Sequence, residues 1–288
     1  MKNRTLSIVA ALVVLAIFGH AEASAKKTAR VFILSGQSNA AGNGNGDDLT
    51  AAQRKIDPEV LITFSDGVWE PLAPIKLKKP KAKFNINNTI FGTELSFAKA
   101  IKQAYPDDII AICKVGVCGG TSIVAWEKDT DRPGWLDELD RLGNTSRAQM
   151  KLYETVINDT LKGIETLRQR EDVGEVVLAG MWWCQTERDG SYLEFSEAYK
   201  KNLTNLINNI RKDLQAPNLP FLFFDQHIER KPGREVLKKN LRAVAAEVPF
   251  TALIDNNDLP KYEGIHFTTQ GIWTLGERFA QAHLEMSE

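Results

Sequence analysis

The sequence predicts an α/β fold, a three-layer α/β/α sandwich with a mainly parallel central sheet. Three observations predict it. Short runs rich in apolar, β-branched or aromatic residues recur at 31–34, 109–113, 175–181, 220–225 and 250–255. Segments with apolar residues at helical spacing separate most of them. Several of the loops that follow these runs are rich in glycine and polar residues. That is expected where parallel strands end at one edge of a sheet covered on both faces by helices, with right-handed crossovers.

The first run, Val31-Phe32-Ile33-Leu34, leads into Ser35-Gly36-Gln37-Ser38-Asn39 and then into a Gly/Asn-rich loop ending near Gly46. That loop lacks the Gly-Lys-Ser/Thr ending of a phosphate cradle and the spacing of a dinucleotide fingerprint. Residues 60–64, a Ser65-Asp66-Gly67 turn and residues 68–72 read as a hairpin outside the main sheet. Residues 73–90 read as loop, and the proline-containing basic run from Lys76 to Lys83 as a solvated one. Leu95, Ala98 and Ile101 share a helical face over 93–101, a pattern ended by Pro106. The strand at 109–113 opens into Gly116-Val117-Cys118-Gly119-Gly120-Thr121-Ser122. A long helix follows at about 147–168, carrying Tyr153, Ile157, Leu161 and Ile164. The strand at 175–181 flows into Trp182-Trp183-Cys184-Gln185-Thr186-Glu187-Arg188-Asp189-Gly190. Helices over 192–214, 234–247 and about 269–285 complete the alternation, the last capped by Thr268 or Thr269.

The 288 residues suit one sizeable domain. With 43% hydrophobic and 25% charged residues the composition is ordinary, and a net charge of −1 argues against a nucleic-acid partner. Lys2 and Arg4, an apolar stretch over 6–18 and Ala23-Ser24-Ala25 form the pattern of a cleaved signal peptide. Residues 1–25 are therefore expected to be removed, leaving a single domain over 26–288, exported to the periplasm or beyond the cell. The apolar stretch is short for a membrane span, and no later segment is apolar enough for one. Cys113, Cys118 and Cys184 are an odd number, so at least one thiol stays unpaired, and whether Cys113 and Cys118 pair is open.

Ser38 follows a glycine at the end of a strand, where a nucleophile is well placed. Beyond the signal segment the histidines are His227, His266 and His283. There is no His-Glu-x-x-His and no paired Cys-x-x-Cys, so no dedicated metal site is expected. His283, near the end of the last helix, reads as a surface cation at the helix's negative end. His227 follows a strand. His266 precedes the last helix and has Glu263 three residues upstream, a spacing that lets a carboxylate hold the second imidazole nitrogen.

Gly36-Gln37-Ser38-Asn39 is similar to the opening block of SGNH (GDSL-like) hydrolases, and more closely to their sialate O-acetylesterase and acetylxylan esterase branch. Gly92-Thr93-Glu94-Leu95, Gly119-Gly120-Thr121-Ser122-Ile123 leading to Trp126, Trp183-x-Gln185-x-Glu187-x-Asp189 and Glu263-x-x-His266 follow in the same order. The resemblance covers roughly residues 30–280. It implies a serine esterase that removes O-acetyl groups from carbohydrate and needs no cofactor. Ser38 would be nucleophile, His266 base and Glu263 its orienting acid. The oxyanion donors would be the N–H of Ser38, an N–H of Gly119 or Gly120, and the Gln185 amide. Gln37, Asn39 and Glu187 would bind substrate, with Asp189 shaping the site. The departures are Cys184 and Thr186, where the branch has histidine and glycine, and Glu263 where aspartate is usual, which leaves Asp258 as an alternative acid. Trp126, Trp135, Trp182 and Trp183 offer either sugar-facing rings or core packing. A broader esterase or lipase of the same fold, and an inactive carbohydrate-binding relative, are the other readings.

Overall fold

The computed structural model describes residues 25–116, 121–125, 152–225 and 228–287. Outside them lie most of the expected signal segment, the first residues of the helix expected from 147, and Cys118, Gly119, Gly120, Trp126, Trp135 and His227.

In chain order, β1 (Lys27–Gly36) leads through α1 (Ser38–Ala41) to β2 (Gly44–Asn45), α2 (Ala51–Arg54), β3 (Val60–Thr63), β4 (Glu70–Pro71), β5 (Ile75–Lys76) and β6 (Thr89–Phe91). Then come α3 (Glu94–Ala104), β7 (Ile109–Gly116), α4 (Leu152–Arg168), β8 (Val173–Cys184), α5 (Leu193–Asp213), β9 (Phe221–Phe224), α6 (Arg234–Glu247) and β10 (Thr251–Ile254). The hairpin of β11 (Lys261–Tyr262) and β12 (His266–Phe267) precedes α7 (Thr269–Glu285). Seven strands form the central sheet in the order β10-β9-β8-β1-β7-β3-β4, parallel throughout except for β4.

The strands bury both faces, and the period-two alternation of side chains sorts them into two layers. Phe32 and Leu34 of β1, Trp182 of β8 and Leu222 and Phe224 of β9 join Phe97 of α3 and Phe279 of α7 on one face. Ile33, Met181, Trp183, Phe221 and Phe223 meet α4, α5 and α6 on the other, through Val156, Leu203, Ile207 and Leu241. The helices form because their apolar residues fall on one stripe: Leu95, Ala98 and Ile101 in α3, and Leu203, Leu206, Ile207 and Ile210 in α5, are all buried. Thr268 caps α7, its hydroxyl accepting the Gly271 N–H.

Four expectations change. The hairpin of β3 and β4 is the edge of the main sheet, because β3 pairs in parallel with β7 from Val60↔Ile110 to Thr63↔Cys113. Residues 73–90 contain β5 and the start of β6, which join β2 in a small three-stranded sheet. β8 runs on past the expected end at 181 through Trp182-Trp183-Cys184, and of the two readings open for these tryptophans the core one holds; Trp182 stacks on Phe97 at 4.1 Å. His283 is only 4% exposed, edge-on to Phe32, with burial pushing it down to about 4. It is a neutral core residue and not a surface cation, because α7 turns it onto the sheet.

Candidate active site

From β1 the chain goes out to β3, returns to β7 on one side of β1 and crosses to β8 on the other. The crevice beyond the carboxyl end of β1 is therefore the point where the sheet order reverses, the usual place for a ligand in such a sheet. Gly36 makes the turn there. Its φ is +131°, and a Cβ would collide with the carbonyl of Cys184, to which the Gln37 N–H donates at 3.0 Å. The chain then enters α1 at Ser38. The Ser38 N–H opens this single turn and has no hydrogen-bond acceptor among the described residues.

The β11–β12 hairpin brings the other two groups. Tyr262 pairs with His266, and Glu263, at φ +32°, and Gly264, at φ +75°, make the turn between them. His266 Nε2 lies 3.0 Å from Ser38 Oγ, and Nδ1 lies 2.8 Å from Glu263 Oε1. Burial pushes the Glu263 carboxyl up, but the donors on it, Lys83 first and then His266, outweigh this and hold it below the ordinary carboxylate range. A hydroxyl, an imidazole and a carboxylate in series is the arrangement that moves a proton off the hydroxyl as it attacks a carbonyl. The relay opens into a pocket of about 260 Å³ lined by Gln37, Ser38, Glu187, Arg188, Ile228 and Lys231 among others.

The model of the family described as "Carbohydrate esterase, sialic acid-specific acetylesterase" matches residues 28–285. The chain belongs to this family of carbohydrate esterases. A probable carbohydrate esterase of Arabidopsis thaliana, At4g34215, is 26% identical over 269 residues, covering 88% of this chain and 90% of that protein. Its crystal structure superposes with a TM-score of 0.67 at 23% identity, over 89% of this chain and 98% of that one. NanS gives 0.63 at 16% identity over 91% and 98%, and a carbohydrate acetylesterase from Xanthomonas citri gives 0.56 at 19% over 89% and 56%. These structures share the fold.

Within this carbohydrate esterase the remaining site residues divide by what they touch. Asn39 is buried and its side chain joins three segments. Nδ2 donates to Glu187 Oε1 at 2.5 Å and to the Ile265 carbonyl at 3.4 Å, and Oδ1 accepts the Phe267 N–H at 3.4 Å. It thus grips the backbone on both sides of His266. Burial raises Glu187 to about 7, against the lowering effect of the Thr186 N–H and the Asn39 amide. Asp189, raised by burial to about 6, receives the Ser122 hydroxyl, the Ile123 N–H and the Gln185 amide. It pins the loop after β7 to the loop after β8. Gln185 already donates to the Thr121 carbonyl at 2.9 Å as well as to Asp189. Both amide hydrogens are taken, so in this arrangement the side chain braces the loop instead of offering a free oxyanion donor. Gln37 lines the pocket, and its buried Oε1 has no hydrogen-bond partner among the described residues.

The departures from the family pattern are absorbed locally. Thr186 is not among the residues with positive φ, so no strain follows from the missing glycine. Asp258 pairs with Arg278 at 2.6 Å, while Glu263 is the acid on His266. Cys184 is buried, and burial first, then the carboxylate of Glu187, push its thiol well above the ordinary range. Its thiolate is scarce. Iodoacetamide at pH 8 is expected to leave the Cys184 peptide unmodified in folded protein and to alkylate it in denatured protein, as read by mass spectrometry. Cys113 is likewise buried, with no disulfide partner among the described residues.

Two features escaped the sequence reading. Lys83, from the run expected to be solvated, reaches Glu263 Oε1 at 2.7 Å, and the Phe84 ring stands edge-on to His266 at 5.0 Å. No local pattern announces a contact made across 180 residues, as between Lys83 and Glu263. Lys114 and Glu94 form a buried ion pair at 2.8 Å. That one left a signal: a lysine inside the apolar run Ile109–Gly116 needs a carboxylate.

Proposed function

We propose that this chain is an exported serine esterase that removes O-acetyl groups from carbohydrate, with Ser38 as nucleophile, His266 as base and Glu263 as its orienting acid. The observation that carries the reading is the continuous relay from Ser38 Oγ through His266 to Glu263 in a member of a carbohydrate esterase family. His266 Nε2 takes the Ser38 proton as Oγ bonds to the ester carbon and the carbonyl electrons move onto oxygen. The oxyanion collapses, the bond from carbon to the sugar oxygen breaks, and the imidazolium returns its proton to that oxygen. Water, giving a proton to His266, then attacks the acetyl-serine, and acetic acid leaves as Ser38 regains its hydrogen. The Ser38 N–H, which has no acceptor among the described residues, receives the developing charge. An N–H from Gly119 or Gly120 completes the donor set in this proposal.

The relay faces a pocket of about 260 Å³. Its cations favour an acidic sugar. Arg188 and Lys231 both line the pocket wall. A carboxylate on the substrate would pair with these cations. The test compares acetylated sialate, acetylated xylan and p-nitrophenyl esters of rising chain length. Acetylated sialate is expected to be cleaved best and long acyl esters least. Arg188→Gln is expected to raise KM about tenfold for the acidic sugar, the worth of one charge-assisted hydrogen bond, and to leave the neutral ester unchanged. Preference for long chains with no action on acetylated sugar would overturn the reading.

A further inference from the structure

We propose that Lys83 is a positioning residue of the catalytic relay, one that shares the Glu263 oxygen with His266 and so sets the pH above which His266 works as a base. The proposal rests on the esterase reading for its consequence in turnover, and on geometry alone for its electrostatic part.

The segment that carries Lys83 is built to stay where it is. Lys81 and Ile86 close a tight loop through paired backbone hydrogen bonds, 2.8 Å and 3.3 Å, and Ile86 is fully buried beneath it. Between them Ala82–Phe84 forms a single 3-10 turn, ended by Asn85 in the left-handed conformation at φ +52°. Lys81 adds an anchor, its ammonium 3.3 Å from Asn43 Oδ1. The tip then presents two side chains to the hairpin. The Phe84 ring stands 5.0 Å from the His266 ring and 5.5 Å from the Tyr262 ring. Lys83 Nζ reaches Glu263 Oε1 at 2.7 Å.

That oxygen also receives His266 Nδ1 at 2.8 Å. Two donors therefore converge on one acceptor atom, and two consequences follow. Glutamate has one more torsion than the aspartate usual at this place in the family pattern, and a second donor removes that freedom. The ammonium also acts through the shared carboxylate on the imidazole. When His266 takes the Ser38 proton, its new positive charge meets a carboxylate already engaged by a cation. The imidazolium is less stabilised than it would be by Glu263 alone, and the neutral base persists to lower pH. The other charged groups facing His266 come from the loops after β8 and before α6. They are Glu187, held through Asn39, with Arg188 and Lys231 in the pocket wall. None of these touches Glu263 among the described residues, so Lys83 is the group whose removal changes the relay directly.

The experiment measures kcat/KM against pH on p-nitrophenyl acetate, and the titration midpoint of His266 by NMR, in wild type, Lys83→Met, Lys83→Arg and Phe84→Leu. In Lys83→Met both the acid limb of kcat/KM and the His266 midpoint are expected to move up by roughly half a pH unit, as suits a partly exposed ion pair. High salt should narrow the difference from wild type. Lys83→Arg is expected to restore the wild-type limb. Phe84→Leu is expected to lower the plateau without moving the limb, which separates packing from charge. An unmoved His266 midpoint in Lys83→Met overturns the proposal whatever the loss at the plateau. If the wild type cleaves no ester, the esterase reading fails, and the NMR midpoint still decides on Lys83.

Discussion

Ser38→Ala is expected to lose about 10⁴- to 10⁶-fold in kcat on an acetyl ester while melting within a few degrees of wild type. The size follows from where the residue stands. Its Oγ is the atom 3.0 Å from His266 Nε2, and the relay has no second hydroxyl at that point among the described residues. The stability follows too. Ser38 opens the one-turn α1, whose bonds are made by backbone, the Ala40 and Ala41 N–H groups donating to the Gln37 carbonyl. Removing Oγ leaves these intact, and His266 is still held by Glu263. His266→Ala is expected to cost nearly as much, and the double variant little more than either, because the pair acts as one unit. Glu263→Gln keeps the size of the side chain but removes the charge facing the imidazolium, and its loss should be smaller. A fluorophosphonate should label the wild type and not Ser38→Ala. Labelling of both would place the nucleophile elsewhere.

The layers were readable because they depend on local pattern. Alternation in Phe32-Ile33-Leu34 and the stripe of Leu203, Leu206, Ile207 and Ile210 need no knowledge of the rest of the chain. Ser38 and the Glu263–His266 pair were readable for a similar reason: one turn of chain separates the members of each block, so spacing carries the geometry. What escaped is what distance in sequence hides. His283 carries the same residue signature whether α7 turns it outward or onto Phe32. Lys83 sits in a run whose composition says solvent, and only the tight Lys81–Ile86 loop delivers it to Glu263. Gln185 and Asn39 were recognised as belonging to the site, but which atoms they touch depends on partners in other loops. Gln185 braces Thr121 and Asp189, and Asn39 grips the His266 strand.

The second large effect is expected in stability, from Lys114. The residue lies in β7 opposite Leu34 of β1, and its ammonium meets Glu94 Oε1 at 2.8 Å with both side chains almost wholly buried. Glu94 Oε1 accepts the Gly92 N–H at 2.8 Å, while Oε2 has no hydrogen-bond donor among the described residues. The room for the carboxylate comes from Gly92, where a Cβ would collide with it. Lys114→Met would leave a carboxylate in the core with a single backbone donor. Losing one member of such a pair costs about 3–5 kcal/mol. At about 2–4 °C per kcal/mol for a domain of this size, Tm should fall by roughly 10 °C. Lys114→Met with Glu94→Leu is expected to recover most of the loss, since two apolar side chains in place of a buried pair are often close to neutral. The deficit of the single variant should also shrink as pH falls. A carboxyl left without its cation holds a proton in the folded state that the unfolded chain has released, so acid favours the folded form. The pair matters to the site through what stands on it. The carboxyl end of β7 passes beneath α1, where a Cβ on Gly116 would press on the backbone of Ala41. Thr93, beside Glu94, takes the indole N–H of Trp182 at 2.9 Å. Loosening this corner should move the turn that presents Ser38, so Lys114→Met is expected to lose kcat as well as Tm, and the double variant to regain both. A single variant as stable as the wild type at neutral pH would overturn the stabilising role given to the pair.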